Sequence, residues 1–341
     1  MDTGQPIREQ PAQDQRAEPE RVLAALAGLL NPEVDPVPHL AAISTCLDHA
    51  DEPVRLLAAV VLGRLGADAV PALIHGLHPE QPTAVRTVAA LGLASLGPAA
   101  AGGVRELCRC LTSPVDGLRN AASVALGKIG APAAPSLELM LRFSDPGTLS
   151  AAVAALAMIG PPAAQTVPGV EALAARAPLP LQLACASALA QISGDAGRGL
   201  PVLLGALSNP DPANRRIALD RIGELQAAGG PAAPYLLHSL GDPDAPVRAA
   251  AALAIARTRV PAAHSLPSLV QLLEDPVPEV RVHAAIALSG LGREAAQALP
   301  YLRAHAQDPD PGVASAANAA VETIEKAGQD STAASFLNTL D

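Results

Sequence analysis

Aromatic side chains are nearly missing from this 341-residue sequence, which has no tryptophan, two tyrosines and two phenylalanines. Yet half of its residues are hydrophobic, so the apolar content comes mostly from alanine, leucine and valine. Enzyme cores and pockets of this size usually carry bulky aromatics; small aliphatic side chains suit thin layers of closely approaching helices. Lysine is scarce too. Lys128 and Lys326 are the only two, the other positive charges are arginines, and the net charge is −10. With no basic run to track phosphates, nucleic acid is not an expected partner. The four cysteines, Cys46, Cys108, Cys110 and Cys185, form no C-x-x-C pair. They read as small buried apolar residues of a reducing compartment, not as disulfides or metal ligands.

The opening MDTGQPIREQPAQDQRAEPE lacks the apolar run of a secretory signal, so a cytoplasmic location is expected. No charged side chain occurs between Pro146 and Val170, a gap that suggests a membrane span. Gly147, Gly160, Pro161, Pro162, Pro168 and Gly169 interrupt it, and the expectation is two buried helices and no span. Phosphate-loop, dinucleotide and nucleophile-elbow motifs are also absent. Their nearest imitation, GDAGRG at 194–199, follows a helical pattern rather than a strand and reads as a loop. His75 and His78 lie three apart with Glu80 near, and His39 and His49 sit one period earlier, but no third ligand has a defined spacing. No catalytic residue, cofactor or metal is expected.

What is present is a period. A proline opens an apolar helical pattern at Pro38, Pro71, Pro135, Pro168, Pro201, Pro234, Pro267 and Pro300, with consecutive gaps of 33 from Pro135 onward. Proline is tolerated there because the first-turn N–H has no helical partner to lose. A second helix starts at Arg55, Arg86, Arg119, Arg215, Arg248 and Arg281, with Leu149, Gln182 and Ala314 at the matching positions. Between the two helices stands a polar residue followed by proline, as at Asp242-Pro243, Asp275-Pro276 and Asp308-Pro309, where the chain must leave the α region. Each second helix carries apolar residues at helical spacing. Several end at a glycine, Gly66, Gly97, Gly130, Gly160 and Gly292, suited to a left-handed cap. One such pair cannot bury its own apolar faces, so it must stack on neighbours.

The unit P-x-L-x-x-L-x-D-P-x-x-x-V-R-x-x-A-A-x-A-L-x-x-L-G resembles HEAT repeats, and its short period looks most like the bacterial variety of phycobilisome lyases. The resemblance implies an all-α, right-handed α-solenoid of about nine HEAT-like helix pairs over residues 36–326. Residues 1–19 are expected to be disordered and 20–35 to form a capping helix and linker, with 327–341 a capping helix or docking tail. The family's ionic ladder, carried over, implies Asp242 with Arg248 and Asp275 with Arg281, Asn209 weakening the pair at Arg215. The repeats anchored at Leu149 and Gln182 lack the arginine, which makes them either a flexible joint or harmless drift. Iron-dependent hydroxylases built from HEAT-like repeats rely on paired His-Glu motifs, and this sequence has no His-Glu dipeptide.

In HEAT arrays one face of the second helices lines the concave surface. Projection at 100° per residue places positions one and five after the anchor on that face. This nominates Leu56, Val60, Thr87, Leu91, Asn120, Val124, Arg216 and Asp220 as partner-binding residues. Leu56, Val60, Leu91 and Val124 would form an apolar patch, unless tight curling packs them on one another. Arg215, Arg216, Asp220, Arg221 and Glu224 would make the sixth repeat charged, either to engage an acidic segment or as solvated ion pairs within one helix. The function this implies is a non-enzymatic scaffold that binds a protein or peptide; the runner-up is a bilin lyase-like, chromophore-handling subunit.

Overall fold

The structure is a computed structural model; it describes residues 11–31 and 33–337, and the side chains of 18–31 and 33–328. Among the described residues it is all-α, with no strand. A leading helix, α1 (Pro11–Gly28), precedes nine helix pairs. The first four are α2 (Leu40–Thr45) with α3 (Glu52–Leu62), α4 (Val70–Gly76) with α5 (Thr83–Leu96), α6 (Val104–Cys110) with α7 (Asp116–Ile129), and α8 (Ala134–Met140) with α9 (Pro146–Ile159). The next are α10 (Val167–Ala174) with α11 (Leu179–Ser193), α12 (Leu200–Ala206) with α13 (Pro212–Glu224), and α14 (Ala233–Ser239) with α15 (Ala245–Arg257). Last come α16 (Ala262–Leu272) with α17 (Pro278–Gly290) and α18 (Leu299–His305) with α19 (Pro311–Leu337). This is the paired-helix architecture of an α-solenoid.

Local chemistry sets the boundaries. Proline stands in the first turn of α4, α8, α12, α14 and α18. Asp51, Asp145, Asp211 and Asp244 cap α3, α9, α13 and α15 by accepting a backbone N–H of the first turn. All five glycines expected to end second helices have positive φ. At Gly130 (φ 83, ψ −143) the backbone lies where a side chain is strained. Gln226 and Arg259 hold the matching positions after α13 and α15, and they too are driven to positive φ, 51 and 55.

The chain divides into two compact units, residues 1–169 and 170–341, with the division inside α10. In the first unit α3, α5, α7 and α9 pack side by side in sequence, and α4, α6 and α8 each cover the second helix of their own pair. Val54, Ala58, Leu62, Val85, Ala89, Leu93, Leu118, Ala122 and Leu126 are fully buried between them. In the second unit α11, α13, α15, α17 and α19 stack in the same manner around a core that includes Leu203, Leu219, Leu236, Ile255, Leu269 and Leu288. Alanine at the helix contacts keeps the layers thin.

Three boundaries differ from the sequence reading. Helix α1 begins at Pro11, inside the stretch 1–19 for which disorder is expected. Glutamine, arginine, alanine and glutamate favour helix there. The stretch 327–337 is no separate capping element: α19 runs unbroken to Leu337, because only Gly328 interrupts its alanine-rich sequence. Helix α16 starts at Ala262, ahead of Pro267, which lies inside it. The expectations for 1–10 and 338–341 lie outside the described residues. The charge-free stretch after Pro146 forms α9 and part of α10, two separate helices. By length and composition Thr83–Cys110 is apolar enough to cross a bilayer, but it consists of α5 and α6 joined by a 3-10 turn, Gly97–Gly103.

Candidate interaction face

Helices α3, α5 and α7 lie side by side, and each turns the same register positions away from its first helix. Val60 is 38% exposed and Leu91 49% exposed, while Leu56 and Val124 are half-buried. Thr87 is half-buried and Asn120 exposed on the same three helices. Ala59 and Ala90, directly before Val60 and Leu91, and Ala122, two residues before Val124, are fully buried. Val60 and Leu91 thus mark the solvent side of α3 and α5. Helices α3 and α5 approach closely at Gly63 and Gly92, where an added Cβ on Gly63 would sit 3.3 Å from the Gly92 Cα.

Arg216 and Asp220 belong to the second unit, on α13. Arg216 is exposed, and its Nη1 lies 3.5 Å from Asp220 Oδ2. Arg221 pairs in the same helix with Glu224 at 2.7 Å. Burial raises the Asp220 carboxyl above its ordinary value, with Arg216 and then Arg257 of α15 opposing that rise. Arg216, Asp220, Arg221 and Glu224 thus pair within α13, while Arg215 turns to Asp242 of the following repeat. At the same two positions of α11 the residues are Leu183 and Ser187, and both are buried. The Ser187 hydroxyl donates to Glu224 at 3.3 Å and accepts from Gln191 at 3.1 Å.

An arginine ladder runs along the turns of the second unit, and it corrects the expected pairing. Arg215 holds Asp242 through Nε and Nη2, both at 2.8 Å. Arg248 holds Asp275 at 2.7 and 2.9 Å, and Arg281 holds Asp308 at 3.0 and 2.9 Å. Each arginine reaches the aspartate of the following repeat, not that of its own turn. Within its own turn, Nη1 of Arg248 donates to the backbone carbonyls of Asp242 and Pro243, and Nη1 of Arg215 to those of Asn209 and Pro210. That anchors one edge of the guanidinium and aims the forked edge at the neighbour. Asn209 therefore weakens nothing at Arg215, because only its carbonyl is used. Where the arginine is missing, the Thr148 hydroxyl donates to the Leu111 carbonyl at 3.2 Å, and Gln182 Nε2 donates to the Ala177 carbonyl at 2.9 Å.

The histidines are dispersed. His75 Nε2 lies 2.8 Å from Asp48, and His78 Nδ1 lies 3.7 Å from Glu80. Among the described residues no group of three or more His, Cys, Asp or Glu side chains is placed to hold a metal. The four cysteines are free; Cys46 is half-exposed and the other three are buried. Burial pushes the Cys108 thiol up to about 11 and that of Cys185 to about 12. In the GDAGRG loop Asp195 accepts the Gly197 N–H at 2.8 Å, and Gly199 lies where an added Cβ would collide with the Ala186 carbonyl.

Stacked two-helix modules at a constant interval define a repeat protein. A family model described as HEAT repeats matches residues 70–157, 167–256 and 233–322, more than half of the chain. The chain belongs to the HEAT-repeat family. No curated protein matches it. Among solved structures, human deoxyhypusine hydroxylase in complex with glycerol is similar at 22% identity and a TM-score of 0.36, over 76% of this chain and 97% of that one. A mutant of Kap121p is similar at 14% identity and a TM-score of 0.42, over 87% of this chain and 38% of that one. At such scores the family assignment rests on the repeat match.

Proposed function

We propose that the chain is a non-enzymatic interaction platform, and that it binds a protein or peptide segment on the apolar face of α3, α5 and α7. The observation that carries this is Leu91, a large aliphatic side chain 49% exposed, flanked at the same register by Val60 and Val124 on the adjoining helices. Scattered exposed aliphatic residues are ordinary, but an aligned set on consecutive packed helices favours an interface. Repeat stacking supplies such a surface without spending it on the core. The sequence carries no recognisable catalytic motif, and the free cysteines suit a reducing, cytoplasmic setting. Fold alone does not fix function, so the test is residue-specific. Affinity capture from a lysate of the source cells should recover a protein with the wild type. Leu91→Asp should lose it while keeping its helical circular dichroism. Recovery unchanged by Leu91→Asp refutes the proposal.

A further inference from the structure

Six arginines open second helices, and on five of them the outer edge of the guanidinium meets an acceptor. Arg215, Arg248 and Arg281 hold aspartates. Arg86 donates to the Leu77 carbonyl and to Cys110 Sγ, and Arg119 contacts Asp116. Arg55 is the exception. Its Nη1 is anchored on the carbonyls of His49 and Ala50, as in the complete rungs, but its Nε is buried with no hydrogen-bond partner. A buried donor left unpaired is costly and rare.

Beside Arg55 lies a recess of about 280 Å³ lined by Leu47, Asp48, Arg55, Glu80, Gln81 and Pro82. Its two acids are turned elsewhere. Asp48 Oδ1 accepts from Gln81 Nε2 at 3.3 Å and lies 2.8 Å from His75 Nε2. Glu80 stands six residues before Arg86, as Asp242 stands before Arg248, yet its side chain is 90% exposed and 3.7 Å from His78. We propose that this recess is a carboxylate-binding subsite, in which a carboxylate of a bound acidic segment completes the rung at Arg55 as Asp275 does at Arg248. The inference rests on the platform reading, because Arg55 directly precedes Leu56 on α3 and a segment lying on Leu56 and Val60 passes the recess.

The test follows the Arg Nε–Hε resonances of the full-length protein by NMR during titration with three probes. These are a blocked Leu-Leu-Ser-Asp peptide, its Asn counterpart, and succinate as a free dicarboxylate. The Asp peptide should shift the Arg55 resonance, with an affinity on the order of millimolar or tighter. The Asn peptide should not, and the Arg248 resonance should stay fixed as an internal control. Glu80→Gln should tighten binding about two- to fivefold by removing a like charge. Succinate binding as tightly as the Asp peptide would overturn the assignment to a protein segment. If no probe shifts Arg55, the subsite is refuted. An Arg55 resonance that responds to Glu80→Gln alone also refutes it, because Glu80 then closes the rung from within the chain. Either refutation leaves the apolar-face proposal standing as long as Leu91→Asp still abolishes capture.

Discussion

Replacing Asp275 by alanine tests the ladder as a structural element of the second unit. The substitution removes both acceptors of Arg248, at 2.7 and 2.9 Å, together with the acceptor of the Val277 N–H at 2.9 Å. The two side chains are 14% and 7% exposed, so the orphaned guanidinium regains only part of its hydration. Charge-assisted hydrogen bonds contribute about 1.5–3 kcal/mol each, and breaking a buried pair costs about 3–5 kcal/mol. Partial solvation and the surviving Nη1 bonds to Asp242 and Pro243 reduce this to about 3 kcal/mol. For a unit of this size that lowers Tm by roughly 6–12 °C, measured by far-UV circular dichroism. Glu325→Ala, which breaks the exposed pair with Arg303, should cost less than about 1 kcal/mol. The deficit should also depend on pH. Burial raises the Asp275 carboxyl, but hydrogen bonds from Arg248 and the Val277 N–H outweigh it and leave the group below its ordinary value. Its stabilisation is therefore complete above the unfolded value of about 3.9 and is lost as pH falls through the folded value. The gap between wild type and Asp275→Ala should close below about pH 4. A loss under about 1 kcal/mol at neutral pH, or a gap unchanged in strong acid, refutes the reasoning.

Backbone geometry gives three further tests, all read by urea denaturation. Gly130→Ala should lose about 1–3 kcal/mol through strain alone, since φ is 83 and an added Cβ meets nothing within 4 Å. Arg259→Gly should gain about 0.5–1 kcal/mol by relieving an exposed side chain held at φ 55. Gly199→Ala should lose about 3 kcal/mol or more, because its Cβ would fall 1.9 Å from the Ala186 carbonyl oxygen.

The repeat was legible because proline, aspartate, arginine and glycine each act locally: a helix start, a turn, an anchor and a cap recur wherever their backbone geometry does. The exposure of Val60 and Leu91 was legible too, because the buried alanines before them, Ala59 and Ala90, fix the phase. The same reading failed at Leu183 and Ser187, since LPLQLACASALAQIS of α11 has no charged face to orient the projection. The ladder partners were misread for a different reason. Arg248 has an aspartate six residues before it and another 27 after it, and the sequence cannot reveal that its own turn offers carbonyls while the next repeat offers the carboxylate. The orphaned Nε of Arg55 was out of reach from the sequence, because it depends on where Glu80 and Pro82 sit in space.

The most direct test of the binding platform is site-specific photo-crosslinking, with p-benzoylphenylalanine replacing Leu91 in one variant and Tyr235 in another. Tyr235 is about as exposed, at 51%, but it sits on the first helix of a pair. The account requires a discrete partner adduct from position 91 and none from position 235. Adducts from position 235 alone would place the interface on the first helices and contradict it.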